Sequence, residues 1–258
     1  MSLSNLLKKI ADSEPGPETR ALFDFDGTII SGYSATAFLK DQIARGELSP
    51  ADLIQLTQAA TRFGIGSLGF SALMAVHAQY LAGRSESEYI ANSERLFRRA
   101  IAKLVYPEAR QLIDAHRAKG HSIAIISSAT PYQVIPAAKD LGIDNVYATD
   151  LEVVDGHFTG SVVTPTCFGQ GKVLAAEAFA EDHGGSVDRS FFYSDSTDDI
   201  ALLETVGYPV VLNGSKQLRV IAAEKRWPSA DFSSRGNASG GEIMRSLAAT
   251  GSLVSSFV

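Results

Sequence analysis

A parallel-sheet α/β protein is predicted by three observations in this sequence. Short apolar runs of strand length alternate with amphipathic stretches of helical length, the pattern of strands joined by crossover helices. Polar residues collect where several of those runs end, which is where open parallel sheets bind ligands. One block, from about Ala35 to Lys103, is helical almost throughout and holds no convincing strand, so it reads as an insertion into the core.

In chain order, Ala21 to Phe25 is the first strand. The helical block is punctuated at Gly46, at Ser49-Pro50, around Gly64 to Gly69 and at Gly83. Pro107 then opens a helix at a position where its missing N–H costs nothing; Leu112, Ile113 and His116 line one face before Gly120 ends it. His121 to Ile126 follows as a strand, Ser127 to Thr130 as a loop, and Pro131 to Leu141 as a helix that Pro136 should kink. Asn145 to Ala148 is the next core strand. Leu151 to Val154 and His157 to Val163 flank Asp155-Gly156, a dipeptide that favours the type I′ turn, and so predict a surface hairpin. Lys172 to His183 is a helix stopped by Gly184-Gly185, Ser190 to Tyr193 a strand, Ile200 to Val206 a short helix and Pro209 to Leu212 another strand. From about Pro228 the chain is rich in Ser, Gly and Ala and reads as weakly structured, although Leu253 to Val258 is apolar enough to dock.

Composition narrows the class. At 258 residues the chain has room for one large domain or for a core with an insertion. Hydrophobic residues make up 45% and charged residues 20%, an ordinary globular profile. The net charge of −6, without a basic stripe to track a phosphate backbone, argues against nucleic acid as a partner. Cys167 alone cannot close an intrachain disulfide, which fits a reducing compartment. No apolar run approaches the length of a membrane span, and Met1 to Arg20 lacks the apolar stretch of a secretory signal, so a cytoplasmic location is expected.

The chemistry begins at Asp24-Phe25-Asp26-Gly27-Thr28. Two carboxylates two residues apart, directly after an apolar run, share one side of a strand end. They repel each other unless a cation sits between them, and all-oxygen ligation suits the hard ion Mg²⁺. The strand ending at Ile126 delivers Ser127, the one ending near Tyr193 delivers Asp195 and Asp199, and Lys172 enters from a helix start. An acid pair, two further acids, a hydroxyl and an ammonium form an inventory suited to phosphoryl transfer, in which cations neutralise the phosphate and a nucleophile attacks in line. The five His residues are scattered without metal-ligand spacing and read as surface or packing residues. Cys167 lacks a basic partner nearby in sequence and reads as inert.

On these residues the chain resembles the haloacid dehalogenase superfamily of phosphatases, and more narrowly its phosphoserine-phosphatase-like branch. Four motifs match in order: Asp24 to Thr28, Ile125-Ile126-Ser127, Lys172 within Gly169-Gln170-Gly171-Lys172-Val173, and Ser194-Asp195-Ser196-Thr197-Asp198-Asp199. The resemblance spans roughly Arg20 to Trp227. It implies a Rossmannoid three-layer core with a parallel sheet over 18–31 and 106–228, an inserted helical cap over 32–105, and a tail over 229–258. It also implies a Mg²⁺-dependent phosphatase acting on a small phosphorylated metabolite. By resemblance Asp24 is the nucleophile that becomes an aspartyl phosphate, and Asp26 the general acid and base, offering its backbone carbonyl to the metal. Asp195 is a direct Mg²⁺ ligand, and Asp199 either holds a metal-bound water or orients Lys172, so that the metal set is Asp24, Asp26, Asp195 and Asp199. Ser127, the N–H of Ser128 and Lys172 hold the phosphate. Asp198 reads equally well as an acid in a first helical turn.

Departures from the pattern concern the substrate. Where phosphoserine phosphatases carry a Glu for the substrate ammonium, this chain has Tyr33; where they have two glycines after the second-motif Ser, it has Ser128 and Ala129. Ser194 and Asp198 replace the usual Gly and Asn of the fourth motif. Tyr33, with Phe38 and Phe63 of the insertion, points to a larger or more apolar alcohol than serine. Two other functions use similar residues. A phosphotransferase would pass the phosphoryl group to an acceptor alcohol, which no residue here distinguishes. A receiver-type signalling module also surrounds a phospho-accepting Asp with acids, a hydroxyl and a Lys, but it fills only one small domain and splits its acids between strands.

Overall fold

The computed structural model describes residues 1–47 and 67–233. The expected breaks at Ser49-Pro50 and Gly64, the Phe63 side chain, and the chain from 234 onward lie outside the described residues.

The central strand β1 (Arg20–Phe23) is buried throughout, as an all-parallel sheet covered on both faces requires. Beside it lie β2 (Ser122–Ile126) and β6 (Ser190–Ser194), then β3 (Asn145–Tyr147) outside β2, and β7 (Tyr208–Leu212) and β8 (Ser229–Ala230) outside β6. The order is β3-β2-β1-β6-β7-β8, with every pairing parallel. Strand residues alternate between two cores, the period-two consequence of the pleat. Phe23, Ile125 and Tyr193 face one core and Leu22, Ala124, Ile126, Phe192 and Val211 the other. The first core is covered by α1 (Leu3–Ala11), α5 (Pro107–Ala118) and α6 (Pro131–Leu141). The second is covered by α7 (Gln170–Asp182), α8 (Ile200–Thr205) and α9 (Lys216–Glu224). The α/β three-layer expectation therefore describes the observed core.

The insertion holds α2 (Ser34–Ala44), α3 (Ser67–Leu81) and α4 (Glu86–Leu96), the last running on through a π turn at Phe97–Ile101 and a 3₁₀ turn at Ala102–Leu104. Its two connections to the core lie side by side: Ser31 N donates to Leu104 O, Tyr106 N donates to Ile29 O, and Ile30 bridges Val105.

Some expectations shift. β1 ends at Phe23, two residues early, although Asp24 N still donates to Tyr193 O before the chain turns at Gly27, whose φ is +76°. The N-terminal helix α1 was not anticipated; Ser2 caps it, and Leu6 and Ile10 are buried on the core side. Helix α6 runs continuously through Pro136. The hairpin of β4 (Leu151–Val154) and β5 (His157–Val162) forms around Asp155 and Gly156, both at positive φ, yet it is more than a surface feature. Phe158 is buried between Tyr89 and Tyr132, and its backbone exchanges hydrogen bonds with Gly83 and Arg84 of the insertion. Ser229–Ala230, expected in the tail, adds an edge strand to the sheet, and Phe232 packs on Tyr106. None of the described helices is long and apolar enough to cross a membrane.

Candidate active site

The carboxyl ends of β1, β2 and β6 and the start of α7 meet in one crevice. Lys172 Nζ donates to Asp24 Oδ1 at 2.7 Å and to Asp199 Oδ2 at 2.8 Å, all three side chains being buried. This joins residues from three separate stretches of chain. The ammonium reaches in because the preceding loop is packed tightly: a Cβ at Gly171 would overlap the carbonyl oxygen of Thr166, so only glycine fits there. Gly169, in front of it, has a φ of +53°.

Asp199 has its oxygens engaged by Lys172 and by the Ser194 hydroxyl, which donates at 2.6 Å. Of the two roles expected for Asp199, this geometry favours the orienting of Lys172. Ser194, which opens the fourth motif but has no role expected from sequence, also accepts from Ser196 N at 3.1 Å and so braces that loop. Asp195 lies against Gly27, where a Cβ would overlap the carboxylate, so glycine is needed there for space as well as for its φ. Asn213, at a φ of +54°, donates to Gly27 O at 2.9 Å and fixes the far side of that turn.

Asp26 points to the insertion. Its Oδ1 accepts from Ser34 N at 2.7 Å and its Oδ2 from the Ser34 hydroxyl at 3.1 Å. Ser127 is buried at the end of β2; its N–H donates to Tyr147 O at 2.9 Å, and its hydroxyl oxygen accepts from Ala129 N at 3.2 Å, while Ser128 beside it is half-buried. Thr130 caps α6 with Gln133 as its partner. Cys167 is buried nearby, and burial pushes its thiol up to about 12 even with Lys172 close, so the inert reading stands although a basic partner is present in space.

The crevice carries excess negative charge. Burial pushes Asp24 up to about 7; Lys172 opposes the shift, and Asp199 and Asp26 add to it. Burial also raises Asp195 well above the carboxylate range, with Asp24 and Asp199 contributing. Asp26 is raised to about 6 by burial against the hydrogen bonds from Ser34. Burial alone would lower Lys172, but Asp199 and Asp24 outweigh it and hold the ammonium charged. The Tyr33 phenol is raised by burial and then by Asp195, Asp26, Asp24 and Asp198, which places it beside the acids.

A divalent cation fits this chemistry, because repelling, desolvated carboxylates are what such an ion would relieve. Among the described residues no three His, Cys, Asp or Glu side chains already converge as a metal cage. A site of two carboxylates, one backbone carbonyl and waters does not need one. His116 and His121 are packing groups, buried and hydrogen-bonded to each other at 2.7 Å, and His116 also meets the Tyr193 hydroxyl at 2.7 Å, whereas His157 is exposed at the surface.

Phe38, expected near substrate, is buried and packs on Tyr89 with ring centroids 6.1 Å apart, inside the insertion's own core. Besides the Tyr89 contacts with Tyr132 and Phe158, Phe70 of α3 bridges insertion and core by stacking on Phe168, at 4.3 Å and 9°. Phe168 carried no periodic signal, because it sits in a loop.

Residues 21–204 match the family model described as haloacid dehalogenase-like hydrolase. The phosphoserine phosphatase SerB1 of Mycobacterium tuberculosis is 33% identical over 217 residues, covering 82% of this chain and 70% of its own. The histidinol-phosphatase of Neisseria meningitidis is 29% identical over 217 residues, covering 82% of this chain and 98% of its own. Among solved structures, a protein of unknown function from Bordetella pertussis superposes with a TM-score of 0.74 at 27% identity, covering 83% of this chain and 99% of the other.

Proposed function

The chain belongs to the haloacid dehalogenase-like hydrolases, and on that premise we propose that it is a Mg²⁺-dependent phosphatase that hydrolyses a small phosphate monoester through an aspartyl phosphate on Asp24. The observation that supports this best is the buried Lys172 bridge between Asp24 and Asp199, with Asp26 beside it and held at both oxygens. A structural ion pair would pair one acid with one base; here a single ammonium leaves Asp195 and Asp26 unneutralised in the same crevice.

Each residue then has a task. A carboxylate oxygen of Asp24 attacks phosphorus in line and the ester oxygen leaves, taking a proton from Asp26. In the second half a water attacks the aspartyl phosphate, Asp26 takes its proton back, and inorganic phosphate and free Asp24 result. The Ser127 hydroxyl, the Ser128 N–H and Lys172 hold the non-bridging oxygens, and Asp199 holds Lys172 in place. Asp24, Asp195 and the carbonyl of Asp26 would hold Mg²⁺, which supplies neutralisation of the phosphate charge. Tyr33 stands where a phosphoserine phosphatase has its ammonium-binding Glu, so the preferred alcohol is larger or less polar than serine. The relatives named above differ in substrate between themselves, and this chain's choice falls to its insertion.

A panel of phosphorylated amino acids, amino alcohols and sugars, each assayed with and without chelator, tests the reading. Turnover should stop on chelation and return with Mg²⁺, while Ca²⁺, with its larger and more variable coordination, should inhibit. Undiminished turnover in chelator would contradict it.

A further inference from the structure

The general acid of the proposed reaction is held by a residue outside every motif. Helix α2 has no side-chain cap of its own: Tyr33 occupies the N-cap position without a capping hydrogen bond. The first N–H groups of a helix lack intrahelical partners. Here Asp26 supplies one, accepting from Ser34 N at 2.7 Å, while the Ser34 hydroxyl approaches its other oxygen at 3.1 Å. The catalytic carboxyl of the core and the first turn of the insertion thus fix each other.

The direction of the hydroxyl is set from the other side. Gln133 of α6 lies within 2.9 Å of Thr130 N, an obligate donor, so the amide atom facing Thr130 must be the oxygen. The Thr130 hydroxyl donates to the same oxygen at 2.9 Å. Gln133 Nε2 therefore faces Ser34 Oγ, at 3.0 Å, and can only donate. With its oxygen accepting from Gln133, the Ser34 hydroxyl has its proton free for Asp26 alone. Ser34 and Thr130 are fully buried and Gln133 nearly so, which keeps water from competing. Both oxygens of Asp26 are engaged on the Ser34 side, so a transferable proton must occupy a remaining lone pair.

We propose that Ser34 and Gln133 are positioning residues that aim the Asp26 proton at the leaving group, by a relay running Thr130, Gln133, Ser34, Asp26. The proposal rests on the assignment of Asp26 as proton donor. It also means that Asp26 is aimed only while the first turn of α2 stands against α6.

The test compares an alkyl and an aryl phosphate ester, since an aryl leaving group needs little protonation. Ser34→Ala should lower kcat on the alkyl ester by roughly tenfold or more, and on the aryl ester by only about twofold to threefold, because general acid catalysis is worth roughly 10²–10⁴-fold. Gln133→Met, which keeps the volume, should show the same bias at smaller size. The double variant should be no worse than Ser34→Ala, because the two act through one chain of hydrogen bonds. Thermal melts read stability separately, and Gln133→Met alone carries the test if Ser34→Ala does not fold. Equal losses on both esters, or additive losses in the double variant, would overturn the relay while leaving phosphatase activity in place. A wild-type protein that turned over neither ester would bring down the phosphatase reading and the relay with it.

Discussion

At the scale of single residues, one buried ammonium serves several buried acids: Lys172 donates to Asp24 and Asp199, while Asp26 is held by Ser34. The acids, hydroxyl and lysine at strand ends and helix starts stand out in the sequence because their chemistry is local, whereas Ser34 and Gln133 do not: they meet across 99 residues of chain, and a serine or glutamine in a helix carries no signal of what it will touch. Ser194 has its partner Asp199 only five residues on, but a serine ending an apolar strand reads as an ordinary strand end. Phe38 misled for the same reason, since an aromatic in an amphipathic stretch is as well suited to a core as to a pocket, and here it packs on Tyr89. Tyr33 is where sequence and structure meet: its phenol is pushed up by burial and by four neighbouring acids, so it borders the crevice from the insertion side. Replacing it by Glu supplies a partner for a substrate ammonium. Tyr33→Glu should therefore raise kcat/KM on phosphoserine relative to bulkier esters by about tenfold, the worth of roughly one hydrogen bond to a charged group. Relative kcat/KM across a substrate panel checks this; an unchanged ranking would move specificity elsewhere in the insertion.

At the scale of elements, the strands from β1 to β7 are legible as short runs closed by polar residues, and the β4–β5 turn because Asp155-Gly156 tolerates positive φ, whereas the two-residue edge strand β8, Ser229–Ala230, has no apolar run to show it. Their edges were read less well. β1 stops at Phe23 because the chain must turn at Gly27, and the hairpin lies against the insertion because Phe158 is apolar on a face that looked exposed. α1 shows its own signal in retrospect, with Ser2 ahead of Leu3, Leu6, Leu7 and Ile10 at helical spacing. The start of α7 offers a prediction. A Cβ at Gly171 must displace the Thr166 carbonyl, and Lys172 is the next residue. Gly171→Ala should cost roughly 1–3 kcal/mol, the range of overpacking in a well-packed site, seen as a lower Tm. Activity should fall further than stability, by about tenfold or more, because an ångström's displacement of a positioning group is costly. Normal activity at normal Tm would show that the loop yields without moving Lys172.

For the whole molecule, a sheet with helices on both faces brings Asp24, Asp195 and Asp199 together with Lys172 at the strand ends, where burial and mutual repulsion raise Asp24 and Asp195. Burial and the neighbouring acids push Asp24 up from the ordinary 3.8 to about 7. Between those values the folded state binds a proton that the unfolded chain has released, so this contribution to stability is present at low pH and is lost as pH rises through about 7. Asp24→Asn removes the penalty. In chelator the variant should melt above the wild type at pH 8, with the gain shrinking towards pH 5; comparing two proteins cancels the opposite trend from His116, whose buried ring is held down at about 3. A lower Tm for the variant at pH 8 would mean that the Lys172 bridge outweighs the repulsion. The same substitution bears on the chemistry itself. Rapid acid quench of wild-type protein turning over a ³²P-labelled phosphate ester should leave acid-stable, base-labile label on the peptide containing Asp24, and Asp24→Asn should carry no label and show no multiple turnover. Label on another residue, or near-normal turnover by Asp24→Asn, would contradict the assignment of Asp24 as the nucleophile.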